Sequence, residues 1–227
     1  MTVLTKTVIL DGARTAFGKF GGALSNLTAS DLGGVAIKEA LAKAGVNPEQ
    51  VDEVIMGTVL QAGQGQIPSR QAANKAGIPW NVQTETINKV CASGMRSVTM
   101  ADQIIRLGDE EVIVAGGMES MSNAPYYLPK GRFGLRMGDG QMVDGMIYDG
   151  LSCSFHPKRV HMGTYGNSTA ETFELSREKQ DEWSYRSHSL ALKAIESGIF
   201  AEEIVPVEIP QRKGDPIVVT EDEAPRT

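Results

Sequence analysis

The sequence predicts an α/β layered domain on a mixed, mostly parallel sheet, and three observations carry that expectation. Strand-like and helix-like segments alternate over residues 1–120, the pattern of strand–helix–strand units whose helices cover a sheet. Residues 111–115 (EVIVA) form an almost continuous apolar run of the kind found in buried sheets. The helix-like segments beginning at 26, 68 and 92 run into Gly45, Gly77 and Gly108, a common helix stop.

Taken in order, residues 7–10 (TVIL) are β-branched and apolar and are expected as a first strand. A helix is expected over 26–45. Thr28 or Ser30 can cap it, and Gly34, Ile37, Leu41 and Ala44 recur at helical spacing along one face. A strand at 51–60, a short helix at 68–76, a strand at 85–90, a helix at 92–107 and a strand at 111–115 follow. The helix at 92–107 is apolar nearly all round, with Met95, Val98 and Ile105 on one side and Met100, Ile104 and Leu107 on others. Such a helix is usually buried, and a place between two sheets would bury it.

Beyond residue 120 the texture changes. Residues 121–150 are rich in Gly, Met, Pro and Tyr with no clear period, which predicts a long loop region. Residues 176–197 read as an amphipathic helix, with Ser176 as N-cap candidate and Trp183, Ser187, Leu190 and Ala194 on one face. Two strands, 203–209 and 216–219, are joined by a turn at Lys213-Gly214-Asp215. The boundary is placed near residue 120, dividing 1–120 from 121–227. No internal repeat and no low-complexity tract occurs.

Composition narrows the function. The 227 residues are 41% hydrophobic and 22% charged, close to the average for globular proteins. No apolar run approaches the roughly 18 residues that would span a bilayer. The opening MTVLTKTVIL lacks the parts of a signal peptide, so a cytoplasmic protein without membrane partners is expected. Two isolated cysteines, Cys91 and Cys153, do not make a disulfide framework and fit a reducing compartment. There is no CxxC or HExxH, and His156, His161 and His188 lack metal-ligand spacing, so no metal is expected. A net charge of −6 argues against nucleic acid as partner. An anionic ligand would need a local basic cluster or helix N-termini.

The most informative stretch is Asn88-Lys89-Val90-Cys91-Ala92-Ser93-Gly94-Met95-Arg96. A strand ends at Val90, Cys91 sits at the turn, and a helix opens with small residues. The positive end of a helix stabilises a thiolate placed there, and thiolates form thioesters readily. Ala92, Ser93 and Gly94 leave room for a substrate, and their free N–H groups can stabilise an oxyanion. Position and spacing alone leave a buried structural cysteine as the alternative.

At these residues the sequence resembles thiolases, the acetyl-CoA C-acetyltransferase branch in particular. Residues 11–18 (DGARTAFG) are similar to the family's opening, residues 88–95 to its nucleophile motif, and residues 116–122 (GGMESMS) to its strand-to-loop signature. His161-Met162-Gly163-Thr164 and Arg212-Lys213-Gly214-Asp215 are similar to segments of the loop domain that covers coenzyme A (CoA). The resemblance spans essentially all 227 residues. It implies the N-terminal half of a thiolase-like layered fold over 1–120, an incomplete loop domain over 121–227, and a C-terminal half that is absent.

The activity implied is Claisen condensation of two acetyl-CoA to acetoacetyl-CoA and CoA, or the reverse thiolysis. Cys91 would be the acylated thiol, with its backbone N–H forming half of an oxyanion hole. His161 and Met162 would flank the pantetheine and acyl end, Leu151 would contact pantetheine, and Arg226 would sit by the adenine nucleotide. Relative to the family pattern, a two-residue insertion lies beside Leu151, around 156–158. CoA thioesters would be the substrates, with no separate cofactor, and the full-length form would be a homo-oligomer, dimer or tetramer. Lys130, Arg132 and Arg136 would help assemble dimers into tetramers or draw in CoA phosphates, or else form an ordinary exposed loop. Cys153 is expected to be structural.

The family's second half supplies a histidine in a GHPxGxSG-like segment, a cysteine in a CxGxG-like segment and an asparagine in a NxxGG-like segment. None of these is in the 227 residues, so the chain alone is expected to lack meaningful turnover. The alternative is a non-catalytic CoA-binding or assembly partner. A condensing enzyme of the ketoacyl-synthase or HMG-CoA synthase type fits the nucleophile and loop signatures less well, and no P-loop or GxGxxG supports a nucleotide-binding module.

Overall fold

The computed structural model describes residues 6–226. The first five residues of the opening decapeptide lie outside the described residues. In chain order the regular elements are α1 (Ala29–Ala44), β1 (Glu53–Gly57), α2 (Pro68–Lys75), β2 (Gln83–Ile87), α3 (Ser93–Leu107) and β3 (Ile113–Gly117). After them come β4 (Tyr126–Tyr127), β5 (Val143–Asp144), α4 (Met162–Thr172), α5 (Arg177–Glu196), β6 (Val207–Ile209) and β7 (Ile217–Val219). The chain divides into two compact units. The first runs to Asn123 and takes in Ile199–Ala224; the second is Ala124–Gly198 with the residues from Pro225. Against the expected division at 120, residues 199–224 therefore return to the first unit.

In the first unit, β2, β1 and β3 lie side by side in that order, all parallel. All five residues of β1 are buried, as befits the central strand. Val54 and Met56 face one side and join Ile37, Leu41, Ala72, Ala73 and Ile78 in a core under α1 and α2, following the two-residue period of a strand.

Thr28 is the cap of α1. Its hydroxyl accepts from the Asp31 amide at 3.2 Å while the Asp31 carboxylate accepts from the Thr28 amide at 2.9 Å, a capping box. Gly34 brings α1 onto α2: a Cβ there would lie 2.8 Å from Lys75 Cβ. The hairpin of β6 and β7 builds a second core, in which Val207, Ile209 and Val219 meet Ala16, Leu24 and Ile204.

Three expectations need correction. Residues 7–10 form no strand, and Val8, Ile9 and Leu10 are exposed. The three-stranded sheet is wholly parallel rather than mixed among the described residues, and antiparallel pairing occurs only outside it, in the hairpins β4–β5 and β6–β7 and in one isolated bridge. Finally, α3 is not sandwiched. It buries Ser93, Ser97 and Ala101, with Ser97 Oγ donating to the Gly116 carbonyl at 2.8 Å. Small residues form the face that meets the sheet, so Met95 (70% exposed), Val98 and Leu107 (73%) point outward. No second sheet covers them among the described residues.

The second unit is looser. Residues 121–150 hold short turns, the two-residue pair β4–β5 and most of the π-helical turn Met146–Leu151. Helix α5 forms where expected, with Ser176 Oγ accepting from the Lys179 amide at 3.4 Å, but it buries no residue and Trp183 is 67% exposed. Helix α4 has no counterpart in the sequence reading, because its two glycines and run of small polar residues show no apolar period. It is started by His161, whose Nδ1 accepts from the Gly163 amide at 3.0 Å.

Candidate active site

The strand β2 ends at Ile87 and α3 begins at Ser93, so Cys91 sits on the turn between them, exposed and unpaired. The turn is tightly self-bonded. The Ala92 amide donates to the Lys89 carbonyl at 3.2 Å and the Ser93 amide to the Val90 carbonyl at 3.0 Å. Val90 adopts φ +50°, a left-handed conformation that costs a β-branched residue about 1–3 kcal/mol. Asn88 anchors the turn to the neighbouring loop through Nδ2, which donates to the Val59 carbonyl at 3.2 Å.

Glycines let this turn lie directly on the sheet. A Cβ at Gly57, the last residue of β1, would fall 2.6 Å from Ser93 Cβ and 2.7 Å from the Gly94 nitrogen; one at Gly117, the end of β3, would lie 3.2 Å from Gly94 Cα. Side chains at 57 and 117 would lift the start of α3, and Cys91 with it, off the strand ends. Among the described residues no acceptor takes the Cys91 N–H, which leaves that amide available to an oxyanion.

Cys91 opens into a cleft of about 630 Å³. One wall is the opening loop at 13–20, with Phe17 and Phe20 exposed; another is the loop after β3, residues 118–122. Both walls are braced. Glu119 accepts from the Val59 amide at 2.8 Å and from Thr58 Oγ1 at 3.1 Å, and Ser120 Oγ donates to the Leu27 carbonyl at 2.9 Å. The GGMESMS segment thus works as a fastener.

The opening loop is held by residues near the end of the chain. Arg14 makes a paired bond to Asp222, at 2.7 and 3.0 Å, and a third to Glu203 at 2.6 Å. Asp222 also accepts from the Phe17 amide and Glu223 from the Lys19 amide, both at 2.7 Å. Burial alone would raise the Asp222 carboxyl, but the bonds from Arg14 and Phe17 outweigh it and hold the group below the usual carboxylate range. Sequence reasoning missed Glu203, Asp222 and Glu223; a partner 189 to 208 residues away leaves no local signal.

Cys91 belongs to the first unit, whereas Leu151, His161, Met162 and Arg226 belong to the second. Within the second unit, Ser152 pairs with His161 across an isolated antiparallel bridge, which brings Leu151, His161 and Met162 together. Leu151 closes a π-helical turn and is half-buried; Met162, the first residue of α4, is half-exposed. Arg226 is exposed, and its amide donates to His188 Nδ1 on α5 at 3.2 Å. Lys130, Arg132 and Arg136 lie exposed around the short turn Gly131–Phe133. Bonds from the Tyr165 hydroxyl and from the Phe155 and His156 amides draw the Cys153 thiol below the ordinary cysteine range.

A second hollow of about 340 Å³ lies between α4 and the start of α5; it is wide open, and its one hydroxyl, Ser176, caps α5. Among the described residues no group of three or more His, Cys, Asp or Glu could hold a metal, and no helix is long and apolar enough to cross a membrane.

The fold and site define a class: an α/β protein built around one exposed cysteine on a strand-to-helix turn beside a cleft. Comparison with known proteins gives the family. Residues 7–227 match the thiolase N-terminal domain. The chain is 53% identical over 220 residues to an acetyl-CoA acetyltransferase of Cupriavidus necator and 50% identical over 219 residues to one of Thiocystis violacea. Those alignments cover 97% and 96% of this chain, and 56% and 55% of the relatives. The crystal structure of the Bacillus anthracis acetyl-CoA acetyltransferase superposes with a TM-score of 0.94 at 41% identity, over 100% of this chain and 56% of that one. The chain belongs to the thiolase family. It spans about half the length of the relatives it matches.

Proposed function

We propose that these 227 residues carry the acyl-accepting part of an acetyl-CoA C-acetyltransferase. The Cys91 sulfur attacks the carbonyl of an acyl-CoA, the C–S bond to CoA breaks, and CoA leaves with a proton as the free thiol. A second acetyl-CoA, deprotonated at its α-carbon, attacks the acyl-cysteine and returns the thiolate; thiolysis of acetoacetyl-CoA runs the same steps backwards. The observation that carries this reading is the exposed thiol just before α3, beside a cleft, with an N–H that no acceptor takes among the described residues.

His161, Met162 and Leu151 would hold the pantetheine arm and Arg226 the adenine nucleotide. CoA thioesters are the substrates, and no other cofactor takes part. The complete assembly is a homo-oligomer, dimer or tetramer, in the cytoplasm, acting in fatty acid metabolism.

One observation favours a second reading, a CoA-binding or assembly partner without turnover. All three histidines lie at 156 or beyond, in the second unit, and Glu119, the cleft's carboxylate, is spent on Thr58, Val59 and Leu60. Among the described residues of the first unit no histidine or free carboxylate lines the cleft beside Cys91.

The test is CoA-dependent loss of acetoacetyl-CoA by the 227-residue chain, beside Cys91→Ala, with and without the remainder of the Cupriavidus necator relative as a separate polypeptide. We expect no turnover alone, and recovery only for the unmutated chain when the remainder is added. Turnover by the chain alone would show that the base lies within these residues.

A further inference from the structure

The turn that carries Cys91 is strained, and two side chains hold it in that state. Val90 at φ +50° occupies a region that β-branched residues avoid. Its N–H donates to Asn88 Oδ1 at 2.8 Å, and its carbonyl accepts from Ser93 Oγ at 2.6 Å. The same Ser93 Oγ accepts from the Lys89 amide at 2.8 Å. Ser93 thus ties the backbone on both sides of the Val90 α-carbon to the first turn of α3. It is 3% exposed, so solvent cannot readily replace its bonds. Gly57 packed against it fixes the other side of the same helix start.

We propose that Ser93 and Asn88 are positioning residues for Cys91: they keep Val90 left-handed and so keep the thiol at the start of α3, facing the cleft. The proposal rests on the reading of Cys91 as acyl acceptor. Neither side chain is assigned contact with the acyl group; each acts through the Val90 backbone. When the bonds are lost, Val90 relaxes toward negative φ, and the thiol leaves its place at the start of α3 beside the cleft. Glycine takes up a left-handed conformation freely, so glycine at 90 makes both bonds dispensable.

The test is alkylation of the 227-residue chain by iodoacetamide at fixed pH, followed peptide by peptide, with Cys153 as internal reference. Ser93→Ala is expected to slow Cys91 relative to Cys153 by about threefold or more, and Asn88→Ala by about twofold. Adding Val90→Gly to either variant is expected to restore the ratio. A role in fold stability alone would lower the melting temperature and leave the Cys91 to Cys153 ratio unchanged. That outcome, or failure of Val90→Gly to restore the ratio, overturns the proposal. Should Ser93→Ala fail to fold, Asn88→Ala, altered at an exposed side chain, decides the matter by the same criteria. An unchanged ratio would leave the acyl-acceptor reading intact, because that reading stands or falls on the turnover assay with Cys91→Ala.

Discussion

The two units of this chain are held together by different means. The first buries Val54, Ile55 and Met56 at 0–2% exposure and closes two apolar cores. In the second, Gly145 alone is buried among the described residues, and order comes from caps and short-range bonds such as His161 on α4, Ser176 on α5, and the Tyr127 hydroxyl on Asp149. Cys91, proposed as the nucleophile, sits on the better packed unit, and the residues proposed to hold CoA sit on the other. A thiol proposed to accept an acyl group is best placed where packing fixes it, and a surface proposed to admit and release a long ligand suits the less packed unit.

The sharpest way to break that contrast is to cut the same kind of atoms from each unit. Met56→Ala removes a side chain 2% exposed in β1 and is expected to cost about 2–5 kcal/mol in denaturant unfolding of the first unit. Trp183→Ala removes a larger side chain that is 67% exposed, and a change within about 0.5 kcal/mol is expected. Equal costs would mean that the second unit has a core after all.

Between these lies the brace on the cleft wall. Asp222→Asn weakens the paired bond to Arg14 and is expected to destabilise the first unit by about 1–3 kcal/mol at neutral pH. The folded carboxyl lies below its ordinary value. Its contribution is therefore fully present above the unfolded value of about 4 and is lost as pH falls through the lower, folded value. Unfolding curves from pH 7 downward are expected to show the unmutated chain losing its advantage over Asp222→Asn in that acidic window. Parallel curves would show that Asp222 contributes nothing through its charge.

Much of the first unit was legible because local chemistry and burial agree there. The Thr28 cap, the Gly45 stop and the spacing of Ile37 and Leu41 all point to α1, and the structure places it at Ala29–Ala44. The strand-to-helix turn at Cys91 was legible from the small residues after it, although the strand stops at Ile87 rather than at Val90. Several features had no local signal. The bonds of Arg14 to Glu203 and Asp222 close across most of the chain. The strain at Val90 shows in no composition or period, since valine alone would predict a strand. The outward face of α3 was misjudged because apolar spacing reports that a side chain prefers burial, not which neighbour is there to bury it. Helix α4 was missed because a histidine cap and side-chain bonds, such as Thr169 Oγ1 to the Tyr165 carbonyl at 2.8 Å, support it without an apolar stripe.

If Cys91 takes the acyl group, the covalent intermediate is to be found on that residue. The most direct measurement combines the chain with the remainder of the Cupriavidus necator relative, adds acetyl-CoA, quenches in acid and maps the modified peptides by mass. A single acetyl thioester is expected on Cys91, none on Cys153, and none anywhere in Cys91→Ala. An acetyl group on Cys153 with Cys91 bare, or one that persists in Cys91→Ala, would contradict it.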